Sequence, residues 1–330
     1  MITPVFSRSR RTAALLIALP LLAAGCTEAA GPASDGGRQQ TRQAAPVAPP
    51  PVTATPTFDS ANDKPLPLDA YLLDPDQLAT VTKGRELLLT RCMQRLGFAS
   101  YTPPESPAVP RDSDAPTLRT DGRYGHQDAA LMAKWGYHPE GGTPPDTTPR
   151  TPPAAETTPQ VALAERGADD PKTRFGPGGQ TLNGQKVPDH GCIGEAAAQL
   201  TGAADGTVGD PKTSTDAKFA TLRQSMDDDR TKAVFARWSQ CMKESGHDYP
   251  DPLAAIGDLE WRRSPQPSPR ELQVATADAA CRTRFNVVGV WYAVDFAYQE
   301  QAISADAGNM AAAKASVEAQ VRAATAALAR

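Results

Sequence analysis

Beyond residue 74 the apolar positions recur mostly at helical spacing, and they predict one helix after another. Leu78, Val81, Leu88, Leu89, Cys92, Met93 and Leu96 share one face. Asp74 precedes them as a cap, with Pro75 at the first position, Gln77 at the third, and Gly97 as the stop. A shorter helix is predicted over 127–135, ending at Gly136, and another from near Cys192 to just before Gly202. Phe219, Leu222 and Met226 mark a helix after Ser214-Thr215. Asp227, Asp228 and Asp229 stand where the next one starts, and their charge suits the positive end of a helix dipole better than it suits a metal. That helix carries Val234, Phe235, Trp238, Cys241 and Met242, and stops at Gly246. Ser268-Pro269-Arg270-Glu271 reads as a capping box. Val274, Cys281, Phe285, Val288, Tyr292 and Gln299 follow it as one stripe, expected to run to about Ile303. A last alanine-rich helix, about 307–328, either continues this one or folds back at Gly308-Asn309. Period-two alternation is scarce, so the expected fold is all-α, with room for a short hairpin in the loops.

The pattern fails at the front of the chain. Residues 27–65 contain almost no large apolar side chains and cannot offset their own ordering entropy, so residues 26–65 read as a disordered tether. Before them, Arg8, Arg10 and Arg11 precede an apolar run from Ala13 to Leu22, and Leu21-Leu22-Ala23-Ala24-Gly25-Cys26 has the form of a lipobox. Residues 1–25 are therefore expected to be a cleaved export signal, with Cys26 as the acylated N-terminus holding the protein to the extracytoplasmic face of the cell membrane. Arg10-Arg11 only weakly matches a twin-arginine signal, because bulky apolar residues do not follow the pair. The remaining 66–330 is expected to form a disulfide-braced helical domain of two pseudo-repeated halves, 66–205 and 206–330. Proline-rich stretches at 102–118 and 139–160 read as long loops inside it.

The formal charge of −4 includes the three signal arginines; without them it is −7. An acidic chain of this kind is not expected to bind nucleic acid, which needs clustered cations. Beyond Cys26 the cysteines are Cys92, Cys192, Cys241 and Cys281, an even number in an exported chain. None lies close to another, as zinc ligands or a redox pair would. Two of them share a motif: Cys92-Met93 and Cys241-Met242 both precede a glycine four residues after the methionine, Gly97 and Gly246, and then Tyr101 and Tyr249. Each copy is followed by one more cysteine. Of the three possible pairings the repeat favours Cys92–Cys192 with Cys241–Cys281; a chance match with crossed pairing is the alternative.

Catalytic signatures are missing. His126, His138, His190 and His247 lie in no zinc-protease pattern, and there is no serine elbow or phosphate loop. No cofactor or metal is expected. Glu195 and Asp278 are the acids placed for burial, either as a catalytic pair or as caps or ion pairs inside the bundle. Trp135, Tyr137, Tyr249 and Trp261 stand near loops and helix ends, where an aromatic face can meet a glycan or a protein, or can close a small core under a loop.

Trp238-Ser239-Gln240-Cys241-Met242 with the Tyr249-Pro250 exit, and Val274-Ala275-Thr276-Ala277-Asp278-Ala279-Ala280-Cys281, resemble motifs of uncharacterised actinobacterial lipoproteins. Tyr124-Gly125, Trp135-Gly136-Tyr137 and Gly191-Cys192-Ile193-Gly194-Glu195-Ala196 resemble them too. The resemblance covers about 75–330 and implies a lipid-anchored, mostly helical, disulfide-bonded envelope protein, with no activity attached. The expected role is a non-catalytic domain that binds an envelope protein or a cell-wall glycan. The alternative is an extracytoplasmic enzyme acting on cell-wall or other polymeric glycans.

Overall fold

The computed structural model describes residues 48–57, 64–103, 123–125, 127–143, 158–170 and 172–330. The signal, Cys26, the first part of the tether, His126 and most of both proline-rich stretches lie outside the described residues. The described residues hold ten α-helices: α1 Pro75–Arg95, α2 Ala129–Trp135, α3 Pro159–Arg166, α4 Gly191–Thr201, α5 Lys212–Asp227, α6 Asp229–Glu244, α7 Pro252–Ile256, α8 Pro269–Phe285, α9 Val287–Ala305 and α10 Ala307–Leu328. Two 3₁₀ turns, Pro67–Tyr71 and Leu259–Arg263, join them. Among the described residues the fold is all-α but for one hairpin, Thr181–Leu182 (β1) against Gln185–Lys186 (β2), turned by Asn183-Gly184 with both residues at positive φ. None of the described helices is long and apolar enough to cross a membrane.

Both bridges join the cysteines that the repeat favours. Cys92–Cys192 ties the end of α1 to the start of α4, and Cys241–Cys281 ties α6 to α8. The repeat is real at the level of backbone geometry. After α1, Phe98 N–H donates to Met93 O and Gly97 N–H to Gln94 O; after α6, His247 N–H donates to Met242 O and Gly246 N–H to Lys243 O. This is the same Schellman closure twice. Each exit tyrosine then donates its phenol to a carboxylate, Tyr101 to Glu165 and Tyr249 to Asp258.

The halves expected at 66–205 and 206–330 do not each close on themselves. Residues 48–330 form one unit. Within it, α10 crosses back to pack on α1 and α4, burying Val317, Ala324 and Ala327 with Val81, Leu88 and Leu200. Conversely α2, from the first half, lies on α8 through Met132, Ala275 and Ala279. The other core is built by α6, α8 and α9 around Trp238 and Trp291, with Tyr124 edge-on to Trp291 at 5.0 Å. A helix buries its apolar face only against another element, and here α2 and α10 each find theirs at the far end of the chain.

Three further expectations are corrected. The stripe from Ser268 does not run unbroken to Ile303: Asn286 adopts the left-handed conformation (φ 50°, ψ 45°) and separates α8 from α9. Asparagine tolerates that conformation, and its Nδ2 donates to Pro56 O from the break. A second break at Asp306 makes α10 a separate helix. In α5, Phe219 faces solvent; the buried side is Ser214, Thr215, Lys218, Thr221 and Ser225. Small hydroxyl residues let α5 lie close on α9, where Ser225 Oγ accepts the Trp291 indole N–H at 2.9 Å. Finally, residues 48–57 of the expected tether lie along the domain. Their carbonyls accept from Gln301 (Ala48), Arg230 (Pro50) and Asn286 (Pro56), and Pro50 is buried. A proline-rich segment is already stiff, so docking it costs less entropy than its lack of apolar residues suggests.

Candidate functional site

Beside the second copy of the motif, the loop after α2 and the turn Leu259–Arg263 enclose a cleft of about 660 Å³. Tyr137, His138, Trp261, Arg262 and Arg263 line it, with Asp258 at its edge. The volume lies in the range of small-ligand sites, about 300–1,000 Å³.

Its inner wall is fixed by Glu271. The capping box expected at Ser268 is only half formed. Ser268 Oγ accepts the Glu271 N–H, but the Glu271 carboxylate does not reach back to the cap. It is buried instead, and its Oε1 accepts Tyr137 N–H at 2.8 Å and faces His138 Nδ1 at 2.7 Å. This approach requires Gly136 (φ 58°), because a Cβ there would stand 2.6 Å from the same oxygen. His138 Nε2 faces the Ser264 carbonyl at 2.8 Å. Two acceptors call for two N–H donors, so the geometry selects the imidazolium. Burial opposes that charge, but the bonds to Glu271 and Ser264 outweigh it and hold the histidine above its ordinary pKa. Gln266 Nε2 to Gly141 O and Thr143 N–H to Pro265 O complete the seam between the two loops.

The aromatic residues are mostly spent on structure. Tyr137 and Trp261 stack on one another, centroids 5.7 Å apart, and Trp261 Nε1 donates to Ala255 O. Tyr137 donates its hydroxyl to Asp278, and burial together with that carboxylate pushes its pKa well up. Tyr249 lies just outside the lining; burial and Asp258 raise it to about 12. Asp258 accepts Glu260 N–H and the Tyr249 hydroxyl, which hold it below the usual carboxylate range. Trp135 does not line the cleft; its half-buried indole lies under the Lys134 ammonium at 4.9 Å, and its N–H has no partner among the described residues.

The two acids singled out in the sequence are kept apart. Asp278 is fully buried and takes Arg282 Nε at 2.6 Å, Trp238 Nε1 at 2.8 Å and Tyr137 Oη at 3.0 Å. Arg282 carries on to Tyr124 O and Pro252 O. Glu195 is ion-paired with Arg95 beside the first bridge. His190 contacts Asp189, and His247 lies on a different groove beside Thr276. Among the described residues no three His, Cys, Asp or Glu side chains gather as metal ligands.

Sequence reasoning missed Glu271, Arg262, Arg263, Arg123 and Asp295. Arg123 pairs with Asp295 at 2.7 Å, and Tyr124 Oη donates to the same oxygen at 2.6 Å. A buried acid in an apolar stripe, such as Asp295 between Val294 and Phe296, is a legible sign that a cation must come from elsewhere. No such sign marks the arginine pair. No protein-family model matches the chain, and no curated protein and no solved structure matches it either.

Proposed function

We propose that this is a lipid-anchored envelope protein, held through Cys26 on the extracytoplasmic side, whose helical domain binds an envelope component without catalysing a reaction. The Leu259–Arg263 cleft receives the ligand. The observation that carries this reading is the state of its ionisable groups. Both nitrogens of His138 are engaged by fixed acceptors, so it has no lone pair with which to take a proton. Asp278, with three donors on its oxygens, is equally unavailable. What faces the open cleft is rigid shape and charge, which suits recognition. The two buried bridges fit an oxidising compartment, and the lipobox fits the anchor.

The test places a photocrosslinking residue at Thr143, on the cleft, and at Lys83, on exposed α1, in intact cells. The cleft position should capture a defined envelope component and the control should not. Equal capture at both, or none at Thr143, defeats the binding reading. Separately, Cys26→Ser should release the protein from the membrane fraction; retention defeats the anchor.

A further inference from the structure

Resting on that reading of the cleft, we infer that its ligand is an anionic glycan, whose carboxylate or phosphate is held by Arg262 and Arg263. The turn Leu259–Arg263 buries Trp261 and thereby projects the next two side chains outward at the rim. Both guanidinium groups are exposed, and neither makes an ion pair or hydrogen bond with a described residue. The neighbouring Arg270 differs, being paired with Glu260 at 3.2 Å. Behind the pair stands the His138 imidazolium, at the inner wall. The one acid among the described lining residues, Asp258, has its two oxygens taken by Glu260 N–H and Tyr249 Oη; it keeps its charge and faces Arg263 electrostatically, so it offsets one of the two guanidinium charges. With His138 neutralised by Glu271, Arg262 and Arg263 outweigh Asp258 by one positive charge; on a chain of formal charge −4 this is a local inversion of sign, and it selects anions. Planar guanidinium groups bind carboxylate or phosphate through paired N–H donors.

The rest of the lining says what carries the anion. An extended peptide needs free main-chain donors and acceptors. Here several are already engaged: Thr143 N–H bonds Pro265 O, Trp261 N–H bonds Asp258 O, Ser264 O bonds His138, and Pro139 and Pro265 have no N–H. A flat membrane surface does not enter a concave site. The rings of Tyr137 and Trp261, with Pro139 and Pro265, put apolar surface into the lining for contact with the C–H faces of a sugar.

The experiment uses the soluble Cys26→Ser chain with its bridges intact, and titrates it by calorimetry with trigalacturonate, galactotriose, inorganic phosphate and phosphatidylglycerol vesicles. Trigalacturonate should bind at least tenfold more tightly than galactotriose, and more weakly as salt is raised. R262Q/R263Q should remove that preference with an unchanged melting temperature, and R262K/R263K should restore part of it. Equal binding of the charged and neutral sugars overturns the anion claim, while cleft crosslinking of a glycan would still support the binding reading. Binding to vesicles alone, or a Thr143 crosslink to a protein, overturns the glycan. Failure of both trigalacturonate and phosphate also overturns the inference; the binding reading beneath it falls separately, when Thr143 captures nothing or captures no more than Lys83.

Discussion

Glu271→Gln tests the buried clip behind the cleft. In the wild type His138 is raised above its ordinary 6.5. Its contribution to stability is therefore complete below about pH 6.5 and is lost as pH climbs through the folded value. The glutamine still offers an oxygen to Tyr137 N–H, but it carries no charge. Burial then dominates, and the histidine should fall below its ordinary value, reversing the slope. Near pH 5 the variant must either keep an uncompensated imidazolium in a site where His138 is 8% and Glu271 1% exposed, or deprotonate it. Breaking a buried pair in this way costs about 3–5 kcal/mol. At roughly 2 °C per kcal/mol for a domain of this size, the melting temperature should drop by about 6–10 °C. At pH 8 the histidine is neutral in the variant, and the loss should shrink to about 1 kcal/mol, the worth of a weakened hydrogen bond. Thermal denaturation of both proteins at pH 5, 6, 7 and 8 reads the difference, so other titrating groups cancel. A penalty that stays the same from pH 5 to pH 8 would show that His138 is not charged in the fold, and would refute the reasoning.

The other predictions concern the frame. Non-reducing peptide mapping should recover Cys92–Cys192 and Cys241–Cys281; a Cys92–Cys241 peptide contradicts the structure. Removing the bridges singly should cost about 4.7 kcal/mol for the 100-residue separation and about 3.9 kcal/mol for the 40-residue one, measured by urea denaturation on the chain-entropy argument. Asp278→Ala leaves Arg282 buried and unpaired and should cost about 3–5 kcal/mol, against under about 1 kcal/mol for Glu195→Ala, whose pair is partly exposed. Gly84→Leu should destabilise by about 1–3 kcal/mol, since a Cβ at residue 84 would already lie 2.7 Å from Ala324 Cβ across α1 and α10. Limited proteolysis should spare 48–57, with the protection reduced in Asn286→Ala.

Local chemistry was well written into the chain. The Asp74 cap, the Asp228 cap, the Gly97 and Gly246 stops and the repeated cysteine motif depend on neighbours a few residues away, and they form where the spacing puts them. The helices it left unread, α3 and α7, have eight and five residues, too few to show a period. Of the cleft, Tyr137 and Trp261 could be noticed as aromatics near loops, yet nothing local said that they stack on each other.

What the sequence determined by itself was the helical class, the favoured cysteine pairing and the absence of a recognisable catalytic motif. Each rests on periodicity or on residue type, which survive without knowledge of partners. The tertiary structure alone decided that α10 returns to α1, that Glu271 abandons its cap for His138, that residues 48–57 lie against α9, and that two arginines face a cleft unpaired. Those outcomes turn on which distant groups meet in the interior, where a buried charge must find its counterion whatever its neighbours in sequence.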